Sequence, residues 1–164
     1  MRTLEGEGWL FLEEMMCAWY MIPEENPRRK IALDGESIMA VNKKHDEFHT
    51  LNLNVGWETP PGYPKGIEQK ILSGALDETN KRGTRTRLLR FAAGVFTTKP
   101  FVHEYWEEVF LVSGDLTVGN DAQGNGGKSF PPNTYAVRPP GAYHGPFKSN
   151  DGCTLLEIHY FDPV

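Results

Sequence analysis

Cysteine is scarce in this chain: Cys17 and Cys153 are the only two among 164 residues. That is too few for a disulfide framework, and it suits a reducing cytoplasm. Long apolar runs are missing as well; none approaches the ~20 residues that a membrane-spanning helix needs. Trp9–Ile22 is apolar but contains Glu13 and Glu14 and has no basic leader, which makes it a poor signal peptide. A basic surplus is also absent. The formal net charge is -5, so the patch by which proteins hold nucleic acid is not expected. Long amphipathic helical stretches are few. Glycine (17), proline (12) and aromatic residues (12%) are plentiful instead, a balance that favours short strands joined by turns in one domain large enough to bury a core.

Residues 1–38 stand apart as an N-terminal extension to a domain spanning 39–164. Gly8–Tyr20 has the makings of a short helix that Pro23 and Pro27 end, and Arg28-Arg29-Lys30 reads as a solvated charge run. Two readings of the extension stand side by side. It is either an ordinary segment that packs on the domain or on a partner subunit, or it lies upstream of a true start at Met39. The second reading rests on Gly35-Glu36, whose purine-rich codons can serve as a bacterial ribosome-binding sequence.

Strand signals accumulate after His45. Phe48–Val55 alternates apolar and polar residues, Ile67–Leu72 and Thr84–Phe91 read as strands, and Asp77–Gly83 reads as a polar loop. Arg85, Arg87 and Arg90 are expected as a solvent-facing row. Val109–Val112 and Asp115–Val118 flank Ser113-Gly114, the pattern of a turn between antiparallel strands. Asp121–Gly127 is rich in glycine but is followed by no helix, so it is a loop and not a phosphate cradle. Tyr135–Arg138 and Thr154–Phe161 complete a set whose spacing indicates a sandwich or small barrel.

Three residues carry the strongest chemical signal. His103 and Glu107 lie in one segment and His144 follows Pro139-Pro140-Gly141 in another; two imidazoles and a carboxylate suit a divalent first-row metal with open positions. His45 and His49 read as surface histidines. The two segments together resemble the cupins. Their first motif ends in a histidine, three or four residues, a glutamate, six residues and a glycine, matched here by His103, Glu107 and Gly114. Their second is matched by Asn133, Pro139, Gly141 and His144, with Asn133 in place of a glycine and Lys148 in place of an asparagine. The position of the first cupin histidine is Phe101. Within the cupins, Glu107–Leu116 is most similar to the group that includes anti-sigma-factor-type cupins and acetylacetone dioxygenase.

The resemblance implies an all-β, single-domain jelly-roll barrel (a double-stranded β-helix), often a homodimer. It also implies a divalent ion (Fe, Mn, Ni or Zn) on His103, Glu107 and His144. The expected activity is that of a metal-dependent enzyme, an oxidoreductase of the dioxygenase type or a lyase or isomerase, acting on a small organic oxo or hydroxy compound. The alternative is a non-catalytic cupin that binds or senses a small ligand. Strand parity puts Phe101, His103, Tyr105, Glu107, Val109 and Leu111 on one face, so Glu107 rather than Glu108 is the ligand and Phe101 a pocket wall. The opposite face, with Phe110 and Val112, suits a subunit interface. Phe101 and Trp106 are expected to make the substrate pocket apolar. Tyr105 is the catalytic candidate, as a phenol ligand or proton donor, or else an aromatic of the barrel wall. Glu157 and His159 share one face of the last strand. They are either exposed behind an aliphatic core face or turned into the barrel mouth as pocket residues.

Mass spectrometry of the native protein separates the two readings of the extension: an N-terminal peptide from within 1–38 excludes a start at Met39.

Overall fold

A computed structural model describes residues 42–162; the readings made above for residues 1–38, and Cys17 with them, lie outside the described residues. Eight strands follow in chain order: β1 (Ile67–Asp77), β2 (Arg82–Phe91), β3 (Trp106–Gly114), β4 (Leu116–Val118), β5 (Lys128–Phe130), β6 (Tyr135–Arg138), β7 (Phe147–Lys148) and β8 (Cys153–Tyr160). They form two antiparallel sheets, one of order β1-β2-β8-β3-β6 and one of order β5-β4-β7. The described residues form no helix, and so none long and apolar enough to cross a membrane. The all-β expectation holds.

The strands arise from period-two alternation. Along β8 every second residue, from Cys153 through Leu155 and Glu157 to His159, is buried, and the residues between are half-buried. In β3 the same rule buries Glu107, Val109 and Leu111 and leaves Phe110 and Val112 outside. Ile67, Leu89, Phe91, Val109, Leu111, Leu116, Cys153 and Leu155 make the apolar core at one end of these strands. Burial pushes the Cys153 thiol up to about 11, so it packs as an inert hydrophobe.

Two expectations need correction. The chain at Ser113-Gly114 is not a hairpin, because β3 and β4 belong to different sheets. Gly114 has φ +80°, and a Cβ there would stand 1.9 Å from the carbonyl oxygen of Gly152. Only glycine admits that close approach, and it lets the chain cross between sheets. Phe48–Val55 is not a strand; Phe48, Leu51, Leu53 and Val55 are exposed, and alternation alone makes no strand without a neighbour to pair with. The substitution of Asn133 for a glycine has a simple reason. Its φ is +67°, a left-handed conformation that asparagine tolerates better than most residues, and its N–H donates to the Leu111 carbonyl at 2.8 Å.

Leu111 is 2% exposed and its neighbour Val112 46%. Leu111→Ala is therefore expected to lower stability by about 2–5 kcal/mol, and Val112→Ala by less than about 0.5 kcal/mol. Urea denaturation of both variants checks this, and equal losses would contradict the assigned faces.

Candidate metal centre

Backbone pairing brings the two motif segments together. Phe101 N–H donates to the His144 carbonyl at 2.8 Å, His144 N–H returns a bond to Phe101 at 3.0 Å, and Gly141 N–H donates to the His103 carbonyl at 2.8 Å. The His103 and His144 rings consequently lie with centroids 4.8 Å apart. Glu107, inward on β3, completes the group: its Oε2 is 3.7 Å from His103 Nε2 and 3.5 Å from His144 Nε2. One ligand atom from each of the three falls within 4.8 Å of the others.

The hydrogen bonds of the rings fix their tautomers. His103 Nδ1 is 2.8 Å from the Tyr105 carbonyl and His144 Nδ1 is 2.9 Å from the Ala142 carbonyl. A carbonyl only accepts, so each ring carries a proton on Nδ1, and in the neutral form that ligation requires it turns a bare Nε2 lone pair towards the Glu107 carboxylate. His103 Nε2 is buried and has no hydrogen-bond partner. Two lone pairs facing a carboxylate repel one another unless a cation lies among them, and this donor set suits a divalent first-row ion. Burial alone would raise the Glu107 carboxyl. The His159 N–H that faces it and the Arg138 guanidinium bonded to it outweigh burial and hold Glu107 far below the usual carboxylate range. Burial lowers His144, which favours the neutral imidazole that ligation requires.

A second polar group adjoins the first; it corrects the expected solvent-facing arginine row and takes the inward one of the two readings of Glu157 and His159. Arg85 and Arg87 do not face solvent; they share the inward face of β2 with buried Leu89 and Phe91, and Arg87 is 4% exposed. Only Arg90 of the three lies on the outer face, bound to Glu68 at 2.7 Å and stacked 4.0 Å over Trp57. Glu157 and His159 likewise turn inward, in register with Arg87 and Arg85. Arg87 Nε donates to Glu157 Oε2 at 2.6 Å and its Nη1 to Gln69 Oε1 at 2.7 Å. Arg85 donates to His159 Nδ1 from Nε at 3.1 Å and from Nη2 at 2.8 Å. A guanidinium only donates, so His159 is bare at Nδ1 and protonated at Nε2. That N–H faces Glu107 Oε1 at 3.3 Å and Glu157 Oε2 at 3.4 Å without lining up on either. His159 thus presents a proton where His103 and His144 present lone pairs.

No family model matches this chain, and neither does any curated protein. Solved structures do. An acetylacetone dioxygenase from Acinetobacter johnsonii aligns with a TM-score of 0.53 and 22% identity, over 73% of this chain and 78% of its own. An RmlC-like cupin from Shewanella frigidimarina aligns with a TM-score of 0.51 and 16% identity, over 75% and 95%. This is a cupin fold. The polyketide cyclase RemF from Streptomyces resistomycificus shares it too, with a TM-score of 0.52 and 18% identity, over 72% of this chain and 82% of that one. At these identities the likeness is one of fold.

At the position of the first cupin histidine, Phe101 forms part of an aromatic wall. Its ring lies 5.0 Å from Tyr63, 6.1 Å from Phe147 and 6.2 Å from His144. Tyr105 lies flat on His103, with centroids 4.0 Å apart and planes 3° apart, and reaches His159 at 5.0 Å. Burial raises its phenol above the ordinary range. Trp106 is a correction. It falls on the outer face, where its indole N–H donates to Asp162 at 2.9 Å and its ring stacks on Tyr160, because parity opposes it to Glu107. His45 and His49 are surface residues beside Glu47 and Asp46.

Sequence reasoning missed Arg138 and Tyr63. Arg138 Nη1 binds Glu107 Oε2 at 2.5 Å from the facing position on β6; its shared parity with Ala136 was the signal available. Tyr63 sits in the Pro/Gly turn region, which gave no signal, yet burial and then the Glu157 charge push its phenol up to about 12. The space left among Tyr63, Glu107, Arg138, His144 and Glu157 is about 20 Å³, on the scale of one water or ion.

Arg87→Met strands the Glu157 carboxylate in this interior, and is expected to cost about 3–5 kcal/mol. Replacing the pair together, with Arg87→Met and Glu157→Leu, is expected to cost less than the single change. Chemical denaturation of both variants checks the order.

Proposed function

We propose that this cupin is a metal-dependent enzyme whose His103, Glu107 and His144 hold one divalent first-row ion, Fe, Mn, Ni or Zn. The observation that carries the reading is the pair of Nδ1-protonated imidazoles aiming bare Nε2 atoms at one ionised carboxylate. Such an ion, when bound, polarises an oxygen-bearing substrate or activates dioxygen. The chain's own residues do the rest. Glu107 stays ionised, Arg138 holds its Oε2, and His159 keeps an N–H before its Oε1. Phe101, Tyr63 and Phe147 form an aromatic wall on one side. Tyr105, neutral and stacked on His103, is the candidate proton donor.

The reaction class we infer is that of a dioxygenase, or of a lyase or isomerase, on a small organic oxo or hydroxy compound. Two of the similar folds belong to an acetylacetone dioxygenase and a polyketide cyclase, both of which handle ketonic carbon skeletons. The exposed apolar residues Phe110, Val112, Tyr135 and Val137, on the outer face of β3 and β6, suit a homodimer interface. A second reading, a non-catalytic cupin that binds or senses a ligand, draws on one observation: Arg138 already neutralises Glu107 and would compete with an ion for it.

Elemental analysis of protein purified without chelators, repeated after reconstitution, tests the proposal. One ion per chain is expected, with His103→Ala and His144→Ala each weakening its binding by more than about tenfold, while His45→Ala leaves it unchanged. Protein that takes up no metal after reconstitution rules the centre out. Oxygen uptake on a panel of diketones then tests the dioxygenase reading, and substrate consumption without oxygen uptake the lyase or isomerase reading; neither is expected of a sensor.

A further inference from the structure

Among the described residues the barrel is open along one flank. β6 and β5 are end strands of their sheets, and a groove of about 450 Å³ lies among β3, β4, β5 and β6. That is the size of a small-molecule site, for which about 300–1,000 Å³ is usual. The buried side chains of Val109, Leu111 and Leu116 form its floor, and half-buried Val118, Phe130 and Ala136 form its apolar walls; its charged members are Lys128 and Arg138, and no carboxylate lines it. Val109, Leu116 and Arg138 also border the small interior space beside Glu107 and His144, so the groove adjoins the metal centre across these side chains.

Charge decides what fits there. Three inward guanidiniums, those of Arg85, Arg87 and Arg138, face two inward carboxylates, those of Glu107 and Glu157. The surplus is positive before any ion binds. Lys128 adds to it at the groove: it has no ion-pair partner among the described residues and rests 5.1 Å over Phe130. Arg138 uses Nη1 on Glu107, and its Nε and Nη2 have no hydrogen bond among the described residues. A half-buried guanidinium with donors to spare, at the inner end of an apolar groove, is a receptor for an anion. Phosphosugars do not fit, because the walls offer few partners for hydroxyl groups.

We propose that this groove binds an apolar organic anion, a hydrocarbon or aromatic body with one carboxylate or enolate group. Arg138 takes the charged end, and the body lies along Val118, Phe130 and Ala136, above the buried floor. The assignment names the substrate class of the centre proposed above, and its catalytic meaning rests on that reading; the binding itself does not.

Calorimetric titration of the full chain, stripped of metal by chelation, tests it. The probes are octanoate and 4-phenylbutanoate against the alcohols 1-octanol and 4-phenyl-1-butanol. The carboxylates are expected to bind one per chain, and the alcohols at least about tenfold more weakly. Arg138→Met is expected to abolish the preference. Lys128→Glu, at an exposed position where folding is not at risk, is expected to weaken the carboxylates and spare the alcohols. The double variant His103→Ala/His144→Ala is expected to keep octanoate binding. Equal binding of acid and alcohol overturns the proposal, and so does no binding, whether another copy or another part of the chain fills the groove. Carboxylate binding without metal uptake retires the centre and leaves the groove. Metal uptake without carboxylate preference does the reverse.

Discussion

The register of β8 between β2 and β3 is the constraint on which the rest of the molecule depends. It sets Phe91 and Leu89 opposite Cys153 and Leu155, then Arg87 opposite Glu157 and Arg85 opposite His159. On the other side Leu111 lies opposite Leu155 and Glu107 opposite His159. Along the same inward face β2 and β8 therefore change from apolar to ionisable at the same level, at Arg87 and Glu157, and β3 changes one inward position later, at Glu107, because Val109 still stands opposite Glu157. One end of the barrel becomes a dry core and the other a charged chamber. A slip of one residue in β8 would turn Glu157 and His159 outward and bring Leu156 and Ile158 inside.

Buried charges on this scale persist only because they are mutually satisfied. Arg87 is spanned by Glu157 and Gln69, Arg85 closes on His159, and Arg138 holds Glu107. The cost of desolvating such groups is high, and an apolar interior of the same shape would be at least as stable. What the chamber provides is orientation. Arg85 sets the His159 tautomer, and two backbone carbonyls set those of His103 and His144. One carboxylate thus meets a proton on one oxygen and two lone pairs near the other. This asymmetry makes His103 and His144 candidate ligands and gives His159 a different part, although all three rings surround Glu107.

Much of this was legible in the amino-acid order. The spacing of His103, Glu107 and His144 signalled the fold, and parity from Phe101 to Leu111 matched the burial found along that segment. The arginines were not legible. Leu88 and Leu89 put apolar residues on both parities of β2, so nothing in the strand alone says which face is inside. In β8 the aliphatic pair Leu156 and Ile158 made the wrong face look like core, since a charged interior inverts the usual rule. β5 and β7, of 3 and 2 residues, are too short for alternation to be read. Phe48–Val55 shows the converse failure, a strand pattern with nothing to pair with.

The central claim is that the ion is held by two imidazoles and one carboxylate, with His159 kept out by its tautomer. X-ray absorption at the metal edge of the reconstituted protein, with His159→Gln alongside, tests it most directly. The account predicts two imidazoles per ion in both proteins. Three imidazoles in the parent and two in His159→Gln would contradict it, by showing that His159 takes the place left by Phe101.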